Sequence, residues 1–322
     1  MKKILITGAL GLIGSTLNNL LNDEGYVVCP IDIRADPTNL SPNNILDFNH
    51  IKKMIKGCVG VVHLAAVSRV IWGEENPWLC RKVNVDGTKN IINACLESPI
   101  KPWLIYASSR EVYGQQNIFP VQEDCTFRPH NHYAKSKIDA EKLVNDARDR
   151  GLQTTTLRFS NVFGGLCDYS ERVVPAFCSN SLKGLPLQVN GGDSLLDFTY
   201  VDDVVKGIIQ VIKLMSTQNE SLPAIHFTTG KATSLLELAN LTVQLCNSSS
   251  DIILKQKDSI YPSKFYGNYT RAKSLLGWEP EYNIRVGILN YLEKLKNNTA
   301  ILYPSTMVRI NENFESDTWL SA

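Results

Sequence analysis

The apolar positions of this chain change period several times, and the changes lay out its architecture. Residues 3 to 7 (KILIT) form a continuous apolar run that stops at glycines. A helical pattern of apolar positions then spans Ile13 to Leu21, and 27 to 32 (VVCPID) runs apolar again. Strand, helix and strand within about thirty residues make a βαβ unit. Further strands are predicted at 59 to 66 (VGVVHLAA), 103 to 109 (WLIYASS) and 154 to 164 (TTTLRFSNVFG), with a helix from Pro77 to Leu96. Strands that are apolar on both faces and alternate with helices belong in a parallel sheet covered on both sides.

After Gly165 the alternation lapses, and Gly184, Pro186, Gly191 and Gly192 punctuate short segments. It returns in 196 to 212 (LDFTYVDDVVKGIIQVI) and 224 to 230 (AIHFTTG). The predicted organisation is an α/β domain over 1–165, with 195–230 returning to it, and a smaller mixed lobe from 166–194 and 231–295. In that lobe 234 to 245 and 285 to 295 read as amphipathic helices. Residues 296–322 are polar and irregular, a C-terminal extension with no assigned role.

Composition narrows the partners. The 322 residues carry 33 Lys plus Arg against 32 Asp plus Glu, a formal charge of +1, so no global field favours nucleic acid or a membrane surface. An anionic ligand must be met locally. The eight cysteines are scattered without a CxxC pair, and MKKILITG runs straight into glycines rather than into the apolar core of a signal peptide. The expectation is a cytoplasmic protein with reduced thiols, no membrane span and no metal site.

The first loop carries chemistry. Gly8, Gly11 and Gly14, with Leu12 and Ile13 before the last, form G-x-x-G-x-x-G between a strand and a helix. Glycines permit the tight turn and a close backbone approach to a pyrophosphate, and the helix N-terminus offers free N–H groups to the phosphates. Asp32 closes the next strand, where a carboxylate accepts hydrogen bonds from ribose hydroxyls and repels a 2′-phosphate. The predicted cofactor is therefore NAD, in a doubly wound Rossmann domain; Arg34 is the residue that argues for NADP.

Tyr133 and Lys137 stand four apart on a predicted helix and share a face. An ammonium beside a phenol stabilises the phenolate, lowers its pKa and makes it a general base. Ser109, ending an earlier strand, can hydrogen-bond the same substrate hydroxyl. YxxxK alone is an ordinary helical pairing, and it reads as catalytic only beside the dinucleotide loop and Ser109.

The ordered set TGALGLIG (7–14), HLAA (63–66), NVDGT (84–88), SSREVYG (108–114), YAKSK (133–137), LRFSNVFG (157–164), LDFTYVDDVV (196–205) and LLGWEP (275–280) resembles the extended short-chain dehydrogenase/reductases of the NAD-dependent epimerase/dehydratase family. The resemblance covers roughly residues 1 to 290. It implies oxidation of a sugar hydroxyl, usually C4 of a nucleotide sugar, by bound NAD, followed by epimerisation, dehydration or decarboxylation. On the matching positions it implies Tyr133 as base, Lys137 as its partner and ribose ligand, and Ser109 as hydroxyl ligand. It places Asn161 against the nucleotide sugar, Ala65 and Ala66 beside NAD, and Asn44 and Ile45 at the adenine. It also implies a homodimer through helical faces at 77–96 and 134–148.

The chain departs from the family where a substrate diphosphate is usually gripped: Leu196 replaces an arginine, and the stretch before LLGW offers only Lys264 and Arg271. Arg172 and Lys264 are the candidate substitutes. Ser68, Arg69 and Arg110 fall near the expected sugar ring, so a uronate carboxylate is a candidate partner for Arg69 or Arg110. Glu111 stands where dehydratases and decarboxylases of the family carry glutamate, but Arg110 precedes it, and a guanidinium cannot donate a proton. The leading expectation is transient C4 oxidation and 4-epimerisation of a UDP-sugar, with uronates among the candidates. The alternatives are a nucleotide-sugar 4,6-dehydratase or uronate decarboxylase acting through Glu111, and a non-catalytic NAD-binding protein.

Overall fold

The computed structural model describes residues 2–35, 43–256 and 260–298. Strands β1 (Lys3–Thr7), β2 (Val27–Ile31), β3 (Cys58–His63), β4 (Trp103–Ser109), β5 (Thr154–Phe159) and β10 (Ile225–Phe227) form a six-stranded parallel sheet in the order β2-β1-β3-β4-β5-β10. The apolar runs are continuous because successive side chains enter opposite cores. Ile4 and Ile6 pack with α1 (Leu12–Asp23) and α8 (Val201–Met215), whereas Leu5 packs with α2 (Phe48–Ile55), α5 (Gly87–Glu97) and α6 (His132–Asp149). Strand order reverses between β1 and β3, and the crevice beyond their carboxyl ends is the ligand position of such sheets.

The predicted helix from Pro77 to Leu96 is interrupted. After α3 (Val70–Glu75), α4 (Pro77–Arg81) joins α5 through a π-helical turn at Lys82–Asp86. Asn84 in that turn clasps the loop after β3, accepting from the Val67 N–H at 2.8 Å and donating to the Val67 carbonyl at 3.1 Å and to Ser136 Oγ at 2.9 Å. Such turns gather at functional sites because they re-aim the side chains they carry.

The predicted strand at 154 to 164 is two strands. β5 remains in the main sheet, while β6 (Asn161–Phe163) pairs with β9 (Phe198–Tyr200). Where the chain leaves the main sheet, the Asp197 carbonyl takes the Asn161 backbone N–H at 3.0 Å. Asp197 is fully buried, and its carboxylate accepts N–H groups from Thr229 and Gly230, each at 2.9 Å.

The lobe has its own core, where α7 (Val173–Leu182), α9 (Leu235–Cys246) and α11 (Ile284–Asn297) pack around Phe163, Leu187, Val189 and Phe198. Two small sheets complete it: β7 (Leu187–Asn190) with β12 (Ile252–Lys255), and β8 (Leu195–Leu196) between β11 (Thr233–Ser234) and β13 (Lys264–Phe265). Within 195–230, β10 enters the main sheet and α8 covers it, while β8 and β9 belong to small sheets. Helix α11 runs on to Asn297, and the rest of the expected C-terminal extension, 299–322, lies outside the described residues. Among the described residues no helix is long and apolar enough to cross a membrane, no cluster of His, Cys, Asp or Glu is placed to hold a metal, and all eight cysteines are free.

Candidate active site

A cleft of about 1620 Å³ is lined on one side by the residues that follow β1, β3 and β4, and on the other by α7, β7 and β8. Ordinary ligand pockets span about 300–1,000 Å³, so this one has room for a dinucleotide and a second ligand together.

The dinucleotide half is built on the glycine turn. Gly8 adopts φ +71°, and a Cβ there would lie 2.7 Å from the Ala65 backbone nitrogen; one on Gly14 would lie 2.1 Å from the Gly8 carbonyl. The turn is braced from below: Thr7 Oγ1 accepts from the Ala65 N–H at 3.2 Å and bonds His63 Nδ1 at 2.6 Å, and His63 Nε2 meets Thr88 Oγ1 at 3.0 Å. Burial lowers the His63 pKa to about 3, with the Lys137 cation adding to the effect, so the imidazole stays neutral. Gly11, Leu12, Ile13 and Gly14 all line the cleft at the α1 N-terminus, the arrangement a pyrophosphate requires.

Asp32 lies where the sequence predicts, and Arg34 is tied to it. Asp32 accepts from the Leu10 and Arg34 backbone N–H groups, each at 2.9 Å, while Arg34 Nε approaches Oδ1 at 3.3 Å. A guanidinium held by the Asp32 carboxylate is less available to a 2′-phosphate. Asn44 and Ile45 line the same end, with the Ile45 carbonyl held by Asn90 Nδ2 at 3.1 Å; Ala65 and Ala66 line the middle. A cradle that added Cβ atoms would fill, a helix N-terminus and Asp32 together fit NAD.

Tyr133 and Lys137 share the inner face of α6, and both are buried. Asn131 caps this helix, accepting from the Ala134 N–H at 2.7 Å. Burial pushes the Tyr133 phenol up to about 12, with the Ser109 hydroxyl and the Arg172 guanidinium pulling the other way. Burial brings the Lys137 ammonium down to about 8; it donates to the Ala107 carbonyl at 2.9 Å and lies 5.9 Å from the Tyr133 ring centre. Burial thus outweighs Ser109 and Arg172, and the phenol is neutral at pH 7 until more positive charge arrives.

Ser109 caps the turn that follows β4, accepting from the Glu111 N–H at 3.2 Å. Arg110 and Glu111 are both buried and paired, Nη2 to Oε1 at 2.9 Å. Glu111 Oε2 accepts from Asn131 Nδ2 at 3.2 Å, which links the pair to the cap of the Tyr133 helix. Arg110 Nη2 also reaches Asn161 Oδ1 at 3.4 Å, and Asn161 Nδ2 donates to the Asp197 carbonyl at 2.9 Å. The Asn161 amide is thus engaged at both ends by the protein.

At the mouth, Arg69 pairs with Glu171 at 3.3 Å and lies over Trp72, while Arg172 approaches Asp168 at 3.5 Å and the Ser68 carbonyl at 3.5 Å. Ser68, Arg69 and Arg172 all line the cleft, as does Leu196. Lys264 does not: its ammonium sits over Phe119 at 4.5 Å, and Arg271 is bound to Asp124 and the Ala224 carbonyl. Lys264 is therefore no substitute for a diphosphate arginine, whereas Arg172 lies in the cleft.

Four residues at the site escaped the sequence reading. Asn131 had a signal, since an asparagine just before a helical pattern is a preferred cap. Asn84 lay within the NVDGT stretch without a role assigned to it, Asp168 has its partner Arg172 only four residues on, and Glu171 had no signal, because its partner Arg69 is distant in the chain.

Fold and cleft together are those of an NAD-dependent short-chain dehydrogenase/reductase. Residues 4–222 match the NAD dependent epimerase/dehydratase family. UDP-glucuronic acid decarboxylase 1 of Xenopus tropicalis is 28% identical over 328 residues, covering 94% of this chain and 76% of that protein. The UDP-glucose 4-epimerase of Thermotoga maritima, solved with UDP-glucose, is similar at a TM-score of 0.84 and 26% identity over 92% of this chain and 100% of that one. MoeE5 in complex with UDP-glucuronic acid and NAD reaches 0.82 at 26% identity, over 92% and 99%. The chain belongs to the NAD-dependent epimerase/dehydratase family, and its cofactor is NAD.

Proposed function

We propose that this protein catalyses transient C4 oxidation and 4-epimerisation of a UDP-sugar. NAD, when bound, supplies the hydride acceptor and a pyridinium cation. Tyr133, held as the phenolate beside Lys137, takes the proton of the C4 hydroxyl and becomes the neutral phenol, and Ser109 orients the hydroxyl. Inversion follows if the 4-keto ring turns over, so that the hydride returns to the opposite face of C4 while Tyr133 gives its proton back to the C4 oxygen, with no net redox change.

The observation that carries the reading is the state of Glu111. Elimination or decarboxylation at C5 needs a group free to move a proton there, and Glu111 is held by Arg110 and Asn131 instead. Epimerisation needs only Ser109, Tyr133, Lys137 and NAD. Arg172 is the cation proposed for the substrate diphosphate, because Leu196 stands at the usual arginine position. Glu111 still lines the cleft, which keeps dehydration or decarboxylation as the second reading.

Glu111→Gln decides between them. The epimerase reading expects most of the activity to remain, with no solvent deuterium entering C5. A variant that stalls at the 4-keto sugar, or wild-type product carrying deuterium at C5 or C6, refutes it.

A further inference from the structure

Arg110 uses little of its capacity. Of its five N–H donors, those on Nη2 serve Glu111 and Asn161, while Nη1 is buried and has no hydrogen-bond partner among the described residues. One face of the guanidinium lies over Phe265, 5.6 Å from the ring centre, and its free N–H groups point outward in its plane, where further acceptors meet them. Arg110 lines the cleft beside Ser109, Tyr133 and Asn161, where the oxidised ring carbon must sit. A buried guanidinium with an idle edge is costly unless something completes its set of acceptors.

Arg69, the other cation near the ring, is placed differently. It is matched by Glu171, which is 42% exposed, and it stacks on Trp72 at the rim. Its partners thus hold it at the rim of the cleft.

We propose that Arg110 is a specificity residue that reads a carboxylate on the sugar, so that the preferred substrate class is a nucleotide-linked uronate. This rests on the reading of the cleft as a nucleotide-sugar site. Carboxylate oxygens in the guanidinium plane form charge-assisted hydrogen bonds that a neutral hydroxymethyl group cannot match. The same pairing keeps negative charge on the carboxylate, which opposes loss of carbon dioxide once C4 is a ketone. Asn161 and Glu111 hold the guanidinium in position, and Glu111 gives up part of its claim on Nη2 when the substrate arrives.

The test is binding of UDP-glucuronate and UDP-glucose by calorimetry, in the presence of NAD and in a Tyr133→Phe background that does not turn over. The glucuronate should bind at least about tenfold more tightly, close to 1.4 kcal/mol. The preference should fall below about threefold in Arg110→Lys, which keeps the charge but loses the planar fork. Arg110→Met combined with Glu111→Gln removes the buried pair together and should show the same loss if the single variant misfolds. Equal or tighter binding of UDP-glucose, a preference that survives in the double variant, or binding of neither sugar overturns the assignment. A preference that depends on Arg110 in a wild-type enzyme that forms no 4-epimer leaves Arg110 in place and removes the proposed reaction instead.

Discussion

Replacing Lys137 by methionine isolates the charge proposed to make Tyr133 a base. As placed, the phenol sits at about 12. Half ionisation at pH 7 therefore requires stabilising the phenolate by about 5 pKa units, or about 7 kcal/mol. At the 5.9 Å between Nζ and the ring centre, two unit charges in an effective dielectric of about 20 interact by about 3 kcal/mol, or about 2 units. Lys137 thus supplies less than half; the pull of Ser109 and Arg172 is already contained in the value of about 12, so the rest must come from the cationic nicotinamide. Lys137→Met should lower the rate of hydride transfer at pH 7 by about 10², read as reduced-nicotinamide absorbance in a single turnover at saturating NAD. The pH profile carries the sign. Removing a cation raises the phenol pKa, so the variant should gain about tenfold per pH unit between about pH 7 and 9. The Lys137 pKa is lowered to about 8, so its help is present below that value and fades above it, and the wild-type advantage should shrink as pH rises. A variant within about threefold of wild type at pH 7, or an advantage constant with pH, refutes the assignment.

Tyr133→Phe keeps the ring and its packing but removes the proton acceptor, so hydride transfer should fall by about 10² to 10⁴ while NAD affinity is retained; near-wild-type turnover would exclude Tyr133 as base. NAD should bind at least about tenfold more tightly than NADP, about 1.4 kcal/mol by titration, because Asp32, the proposed ribose ligand, holds Arg34. Equal or tighter NADP binding would mean that Arg34 leaves Asp32 for the phosphate.

The parts of the site legible in the sequence are those whose physics is local. The glycine turn is written in adjacent residues because a tight turn and a close backbone approach exclude Cβ atoms at specific positions, as the contacts at Gly8 and Gly14 bear out. Tyr133 and Lys137 face one way because helical periodicity puts them there, and Ser109 ends its strand because the apolar run ends there. The doubly wound sheet follows from apolar runs that feed two cores at once.

What only the tertiary structure decided is pairing between distant residues. Nothing in SSREVYG says that Arg110 takes Glu111 and Asn161 as partners, or that Asn131 completes the glutamate; those contacts depend on β6 leaving the main sheet and on α6 docking beside β4. Lys264 and Arg172 were equal candidates in the sequence, and the fold alone separates them, placing one over Phe119 and the other in the cleft. The tyrosine pKa is decided in the same way: the pattern showed a cation four residues away, but burial, a property of the assembled core, is the larger effect and sets the phenol at about 12. Local geometry is encoded by neighbours along the chain, whereas desolvation and charge pairing depend on which segments fold together.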